Sequence, residues 1–200
     1  LPEDGPPLRH LGMKVGRVEQ HWARNCLAVG LSQGFIEPLE ATALHLVQET
    51  VDSFIEAYTA GGFSNQHQDA FNAAINARFE GIRDYIVCHY KVNSRSDTAY
   101  WRDNAANTVL SDSLRQILQV WHDGQDLLPE LQRQGIERYY AAASWHCLLG
   151  GYGQYPPPPR LIPPSAKAAR YDIDRIRDFV QRCALNFPAH EQALRELGVS

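Results

Sequence analysis

From residue 38 onward, apolar positions recur with a helical period. Leu39, Ala43, Leu46, Val47, Val51, Phe54, Ile55 and Tyr58 fall mostly three or four apart, which predicts a helix from Pro38 to about Tyr58. Thr59-Ala-Gly-Gly-Phe63 stops it, because a glycine pair takes up the backbone that closes helices. A second stripe (Phe71, Ile75, Phe79, Ile82, Tyr85, Ile86 and His89) predicts a long helix from about Ser64 to Tyr90. Val92 to Asn107 is polar and reads as a loop anchored by Tyr100-Trp101. Ser111 is a natural N-cap for a shorter helix running to about Asp123, with Gly124 as its stop. Leu127 to Gln134 adds one or two further turns, and Gly135 to Tyr155 is rich in aromatic and small residues. Pro156 to Pro159 and Pro163-Pro164 then form a stiff, extended strap. Two more helices, about Asp172 to Leu185 and Pro188 to Leu197, close the chain.

Before residue 38 the pattern changes. Leu1 to Pro7 is rich in proline and glycine, and Leu11 to Gly16 and Asn25 to Leu31 read as strands, with Cys26 to Leu31 buried. The chain is therefore expected to be mainly α, with a small β fragment near its N-terminus and no internal repeat. The strand, a glycine-containing turn and the helix start Glu37-Pro38-Leu39-Glu40 make a strand-to-helix junction. Such junctions bind anions and flat cofactors, because helix N-termini carry partial positive charge and unpaired N–H groups. An ordinary capped helix explains the same local pattern.

Composition narrows the classes. Two hundred residues, 44% hydrophobic and 21% charged, predict one globular domain with material for a core. A formal net charge of −4 carries no electrostatic footprint for nucleic acid. No apolar run reaches the length of a membrane span, and no secretory signal precedes the first strand. The four cysteines, Cys26, Cys88, Cys147 and Cys183, are widely spaced with no CxxC, so buried free thiols in a reducing cytoplasm are expected. No convincing ligand spacing links the eight histidines, and His45 and His89 are expected on or beside helix cores. The first residue is Leu1, without an initiator methionine, which suits a piece of a longer polypeptide.

Wording adds what pattern cannot. Asn25-Cys-Leu-Ala-Val-Gly-Leu-Ser32 and Gly34-Phe-Ile-Glu-Pro-Leu-Glu-Ala-Thr42 closely resemble the signature of flavin-dependent tryptophan halogenases. Arg83-Asp-Tyr-Ile-Val-Cys-His-Tyr90, Arg95-Ser-Asp-Thr-Ala-Tyr-Trp-Arg102 and Ser144-Trp145 extend the resemblance over most of the chain. It is to the C-terminal portion of the family only. Neither a GxGxxG turn for the FAD pyrophosphate nor the family's lysine motif is present, and Lys14, Lys91 and Lys167 stand in other contexts. The resemblance thus implies a helical substrate-binding region over 38–200. Residues 1–37 would be a remnant of the flavin-binding module of a larger FAD-binding α+β, Rossmann-like monooxygenase fold.

It also implies roles. Glu40 would be the catalytic carboxylate facing the substrate, where it stabilises positive charge or takes a proton. A first-turn carboxylate is equally explained by the helix dipole, and Glu37 reads as a capping acid. Thr42 and Ala43 would offer backbone amides to a halide, which requires the regular helix to begin near Glu40 or Ala41 and not at Pro38. Leu31 and Leu44 match flavin-packing positions, or else are core aliphatics. Tyr139, Tyr140 and Trp145 would wall a flat aromatic substrate, although the local wording there departs from the tryptophan-acting members. Ala41 stands where the family commonly has serine, which puts the fine geometry of the halide and substrate site in question.

The implied cofactor is FAD in its reduced form, supplied by a separate flavin reductase, with chloride or bromide as co-substrate. The implied partners are an indole-like small molecule and the upstream FAD domain of the same polypeptide. A homodimer is compatible with this reading. Two other readings stay open: a non-catalytic helical binding module on the same scaffold, and another FAD-dependent aromatic monooxygenase.

Overall fold

The computed structural model describes residues 12, 14–37, 39–161, 163, 165–166 and 168–198. The opening segment Leu1 to Pro7, Leu11 and Met13 of the first expected strand, and Pro38, Pro164 and Lys167 lie outside these. The chain divides into two compact units, Leu1–Arg160 and Leu161–Ser200, where composition predicted one domain.

The first unit opens with two small antiparallel ladders. Strand β1 (Gly16–Arg17) pairs with β4 (Gly34–Phe35), and β2 (Trp22–Ala23) pairs with β3 (Cys26–Leu27). Only glycine fits at position 34, because a Cβ there would meet the Gly16 carbonyl oxygen at 2.6 Å. The buried strand expected over Cys26 to Leu31 is not continuous. Gly30 turns to φ 60° and the chain folds into a 3-10 turn, Gly30–Ser32. Ser32 holds that turn by donating to the Val29 carbonyl (2.8 Å) and accepting from its N–H (3.1 Å).

Trp22 fixes these strands to the helices. Its indole meets Phe54 and Phe71 edge-on, and buried Asn72 accepts from its N–H (2.8 Å) and donates to its carbonyl (2.9 Å). The amide side chain thus supplies what a neighbouring strand would, so the buried Trp22 backbone is satisfied. Next to it, His21 donates from Nε2 to Asn76 Oδ1 (2.9 Å) and stacks on Phe79. Burial lowers the His21 pKa below 6.5; the Asn76 bond opposes the shift and Arg17 adds to it.

Helix α1 spans Thr42–Ala60 and ends as the glycine pair predicts, with Phe63 N–H donating to Tyr58 O at 2.9 Å. Helix α2, Gln68–Lys91, is the central element. One of its faces (Phe71, Ile75, Phe79, Ile82 and Ile86) packs with Trp22 and Leu46 in one apolar cluster. The other, through Tyr85 and Cys88, joins Leu114, Ile117, Leu127, Leu131, Trp145 and Leu149 in a second.

The polar stretch Val92 to Asn107 is not all loop, since it contains helix α3, Ala99–Ala106. Its hold is tertiary. Asn93 Nδ2 donates to the carbonyls of Tyr90 and Trp101, Tyr90 stacks on Trp101, and Arg95 lies 4.6 Å over the same ring. Helix α4 (Asp112–His122) starts where expected: Ser111 Oγ accepts from Leu114 N–H (3.0 Å) and donates to buried Asp84 (2.8 Å). Helices α5 (Leu127–Gln134) and α6 (Ala142–Gly151) complete the second cluster, and Pro158–Arg160 makes a 3-10 turn within the proline strap.

The second unit carries α7 (Ile173–Ala184), capped by Asp172, and α8 (His190–Glu196). All four cysteines are free thiols, but only Cys88 is buried; Cys26 and Cys147 are exposed. Among the described residues no helix is long and apolar enough to cross a membrane.

Candidate functional site

Among the described residues, the turn before α1 is the one place where two consecutive non-glycine residues take a positive φ. Leu39–Ala41 forms a 3-10 turn in which Glu40 has φ 62°, ψ 22° and Ala41 has φ 53°, ψ 23°. Two consecutive residues with a Cβ in the left-handed region cost about 1–2 kcal/mol each. The side chain of Thr42 compensates, donating its hydroxyl proton to the Leu39 carbonyl at 2.8 Å and closing the turn. With that proton committed, the 3.0 Å bond between Thr42 and Tyr140 has the Tyr140 hydroxyl as donor. A residue ninety-eight positions away therefore holds the turn.

This geometry moves the helix start. Regular α1 begins at Thr42 and not at Pro38, so the N–H groups of Thr42 and Ala43 belong to the first turn, ahead of the i−4 ladder. Glu37 consequently lies outside the first turn and is not its capping acid. Its carboxylate lies against Tyr90, whose phenol is pushed above its ordinary value by burial first and by Glu37 second.

Glu40 opens into a pocket of about 740 Å³. Leu39, Glu40, Tyr85 and His89 form one wall; Ser144, Cys147, Leu148 and Tyr152, from α6 and its end, form much of the other. The Glu40 side chain is 53% exposed. Its Oε1 lies 3.7 Å from His89 Nε2, and His89 Nδ1 lies 3.0 Å from the Tyr85 carbonyl oxygen. Tyr85 donates its hydroxyl to the Ser144 carbonyl (3.3 Å) and stacks on Tyr140 with centroids 3.7 Å apart. Burial, then the neighbouring Glu40 charge, pushes the Tyr85 phenol up to about 12, so it stays a neutral donor.

The three aromatic residues singled out by the resemblance are dispersed. Tyr140 lies behind Tyr85, with its hydroxyl spent on Thr42. Trp145 is fully buried in the second cluster, edge-on to Tyr85. Tyr139 covers Gly81, with the guanidinium groups of Arg78 and Arg138 over its ring at 5.4 and 4.9 Å. The aromatic rings that line the pocket are Tyr85, His89 and Tyr152. In the sequence Tyr85 and His89 read only as members of the core stripe of α2, with no chemistry attached. A usable signal was there: a histidine four residues after a tyrosine, at the polar end of an apolar stripe.

On the other side of the α1 start is a narrower apolar groove of about 210 Å³, lined among others by Gly30, Leu31, Phe35, Ala43, Leu44 and Val47. Leu31 and Leu44 are 74% and 75% exposed, so neither is a core aliphatic. Two open leucines over small residues fit a flat, largely apolar ring. Along the chain, buried Thr42 links Glu40 of the first pocket to Ala43, which lines this groove.

Comparison with known proteins gives a consistent set of relatives. A family model described as tryptophan halogenase matches residues 2–171. The 7-chloro-L-tryptophan 6-halogenase KtzR of Kutzneria sp. (strain 744) is 30% identical over 193 residues, covering 94% of this chain and 36% of that protein. Among solved structures, BrvH, a flavin-dependent halogenase from Brevundimonas sp. BAL3, superposes with TM-score 0.71 at 31% identity, over 94% of this chain and 38% of that one. Tar14, a tryptophan C-6 flavin-dependent halogenase (chlorinase) from taromycin biosynthesis, superposes with TM-score 0.74 at 26% identity, over 91% and 36%. The chain spans little more than a third of the length of the curated relatives it matches.

Proposed function

The chain belongs to the tryptophan halogenase family, and from that premise we propose that it forms the C-terminal part of a flavin-dependent halogenase acting on an indole-like aromatic substrate. Residues 1–37 would then be the remnant of the flavin-binding module and 38–200 the helical substrate-binding region. The upstream FAD domain of the same polypeptide completes the enzyme.

One observation carries the reading. The start of α1 presents three surfaces within one turn: a carboxylate over an open pocket, first-turn amides, and an apolar groove behind them. Each suits one component of the reaction. The groove at Leu31 and Leu44 would hold the flavin. The amides of Thr42 and Ala43 hold chloride or bromide, helped by the positive end of the helix dipole. FAD, supplied in its reduced form by a separate flavin reductase, would provide with oxygen and halide the electrophilic halogen.

This chain's own residues handle the substrate. Tyr85 and Tyr152 offer aromatic area to a flat ring, and Tyr140 and Trp145 support Tyr85 from behind. When halogen adds to that ring, positive charge develops beside Glu40, and the carboxylate there stabilises it and can accept the departing ring proton. Backbone amides serve the halide whatever the side chain, which is why alanine suffices at position 43.

The test is Glu40→Gln in the complete enzyme, with a flavin reductase, halide and an indole substrate. Halogenation should fall by about a hundredfold or more while FAD binding is unchanged. Undiminished halogenation would remove Glu40 from the mechanism. Turnover that proceeds equally without halide would instead identify an aromatic monooxygenase.

A further inference from the structure

The bond between His89 and the Tyr85 carbonyl has a chemical consequence at the other ring nitrogen. A carbonyl oxygen only accepts, so Nδ1 carries the proton of that 3.0 Å bond. In the neutral ring, Nε2 is then a bare lone pair, and a carboxylate oxygen of Glu40 lies 3.7 Å from it. Two acceptors at that separation gain nothing from each other; one proton between them turns the contact into an ion pair or a hydrogen bond.

The surroundings leave these two groups to share it. Tyr85, on the same helix, stays protonated because burial and Glu40 push its phenol up to about 12. Cys88, also on α2, is fully buried, and burial followed by Asp84 pushes its thiol to about 12. Tyr140, behind Tyr85, is raised by burial, and its proton is committed to Thr42. Lys91 directs its ammonium to the Ala105 carbonyl. Tyr152 meets the imidazole edge-on at 6.4 Å, and Cys147 faces the pocket from α6. The carboxylate beside Nε2 is that of Glu40.

We propose that His89 is the proton-accepting partner of Glu40, held in the receiving tautomer by the Tyr85 carbonyl. The inference rests on the reading of Glu40 given above. In the halogenated cationic ring, the C–H electron pair returns to the ring and the proton passes to a Glu40 carboxylate oxygen. The lone pair on Nε2 then takes that proton, leaving Glu40 ionised again and His89 as an imidazolium that releases the proton to water in the open pocket. No oxidant or further co-reactant is required. His89 acts through Glu40 and need not touch the substrate.

Nitrogen-resolved NMR of the His89 ring tests the pair without turnover. Nδ1 should remain protonated throughout, with Nε2 as the site that gains and loses the proton. Glu40→Gln, which removes the acceptor charge and keeps the shape, should move the Nε2 resonance and leave Nδ1 in place. A ring protonated at Nε2 with Nδ1 bare, or an unmoved Nε2 resonance in Glu40→Gln, overturns the proposal.

The complete enzyme supplies a second, kinetic arm. His89→Gln should lower kcat about tenfold with KM for the aromatic and for halide unchanged. A burst of about one product per enzyme at the wild-type rate should precede that slow phase, because Glu40 takes the ring proton unaided and only its return to the ionised form has become slow. A slow variant without that burst, or one with the wild-type rate throughout, also overturns the proposal. If the unmodified enzyme does not halogenate, the functional reading fails, and with it the step from substrate to Glu40; the NMR result then still decides whether the two residues share a proton.

Discussion

Ala41 holds a left-handed backbone that its own side chain disfavours, at φ 53° and ψ 23°. The penalty of about 1–2 kcal/mol for a Cβ there is partly offset in any glycine variant by the greater freedom of the unfolded chain. Ala41→Gly should therefore stabilise the protein by about 0.5–1 kcal/mol, read as a higher urea midpoint with an unchanged slope. A lower midpoint would mean that Ala41 contributes packing that outweighs the strain. Nothing in the local residue types announces this turn, since neither Gly nor Asn stands at 40 or 41. It is imposed by Thr42 bonding back to Leu39 and by Tyr140 reaching in from ninety-eight residues away. The identities of Glu40, Thr42 and Ala43 could be read from the sequence because they lie in one contiguous signature. His89, Ser144 and Tyr152 could not be assigned to the pocket, because only tertiary packing brings His89 beside Glu40 and the two residues of α6 and its end opposite it.

At the scale of the element, helices whose ends are local were legible and those held by distant contacts were not. Helices α4 and α7 begin at side chains that bond their own first turns, Ser111 and Asp172. Helix α3 spans eight residues without a clear apolar stripe, and its stability comes from Asn93, Tyr90 and Arg95 around Trp101. Helix length alone would not sustain it. Ser111 has a second duty that its sequence position does not reveal, because it also donates to the buried carboxylate of Asp84. Ser111→Ala should thus cost about 1–3 kcal/mol in urea unfolding, beyond a simple cap, since a buried acceptor loses its donor. Ser111→Thr, which keeps the hydroxyl, should recover most of that loss. Equal loss in both variants would mean that the hydroxyl is not what matters.

For the molecule as a whole, the buried imidazole of His21 ties stability to pH. Burial lowers its pKa in the folded state below the 6.5 of the open chain, so the unfolded chain binds the proton more readily. The stability involved is fully present above pH 6.5 and is lost as pH falls from there through the lowered folded value. Unfolding free energy should decline from pH 7 to pH 5.5 more steeply in the native protein than in His21→Gln; parallel profiles would remove His21 as the cause. The two apolar clusters that share α2 also impose an order in time. The first is built from residues 22–86 and the second draws on residues as late as Leu149. Domains emerging from a ribosome fold from the N-terminus as their contacts become available. During synthesis, then, the buried part of the first cluster can close before Tyr140 is made; the Glu40 turn is secured only once Tyr140 reaches Thr42, and the pocket gains its second wall last.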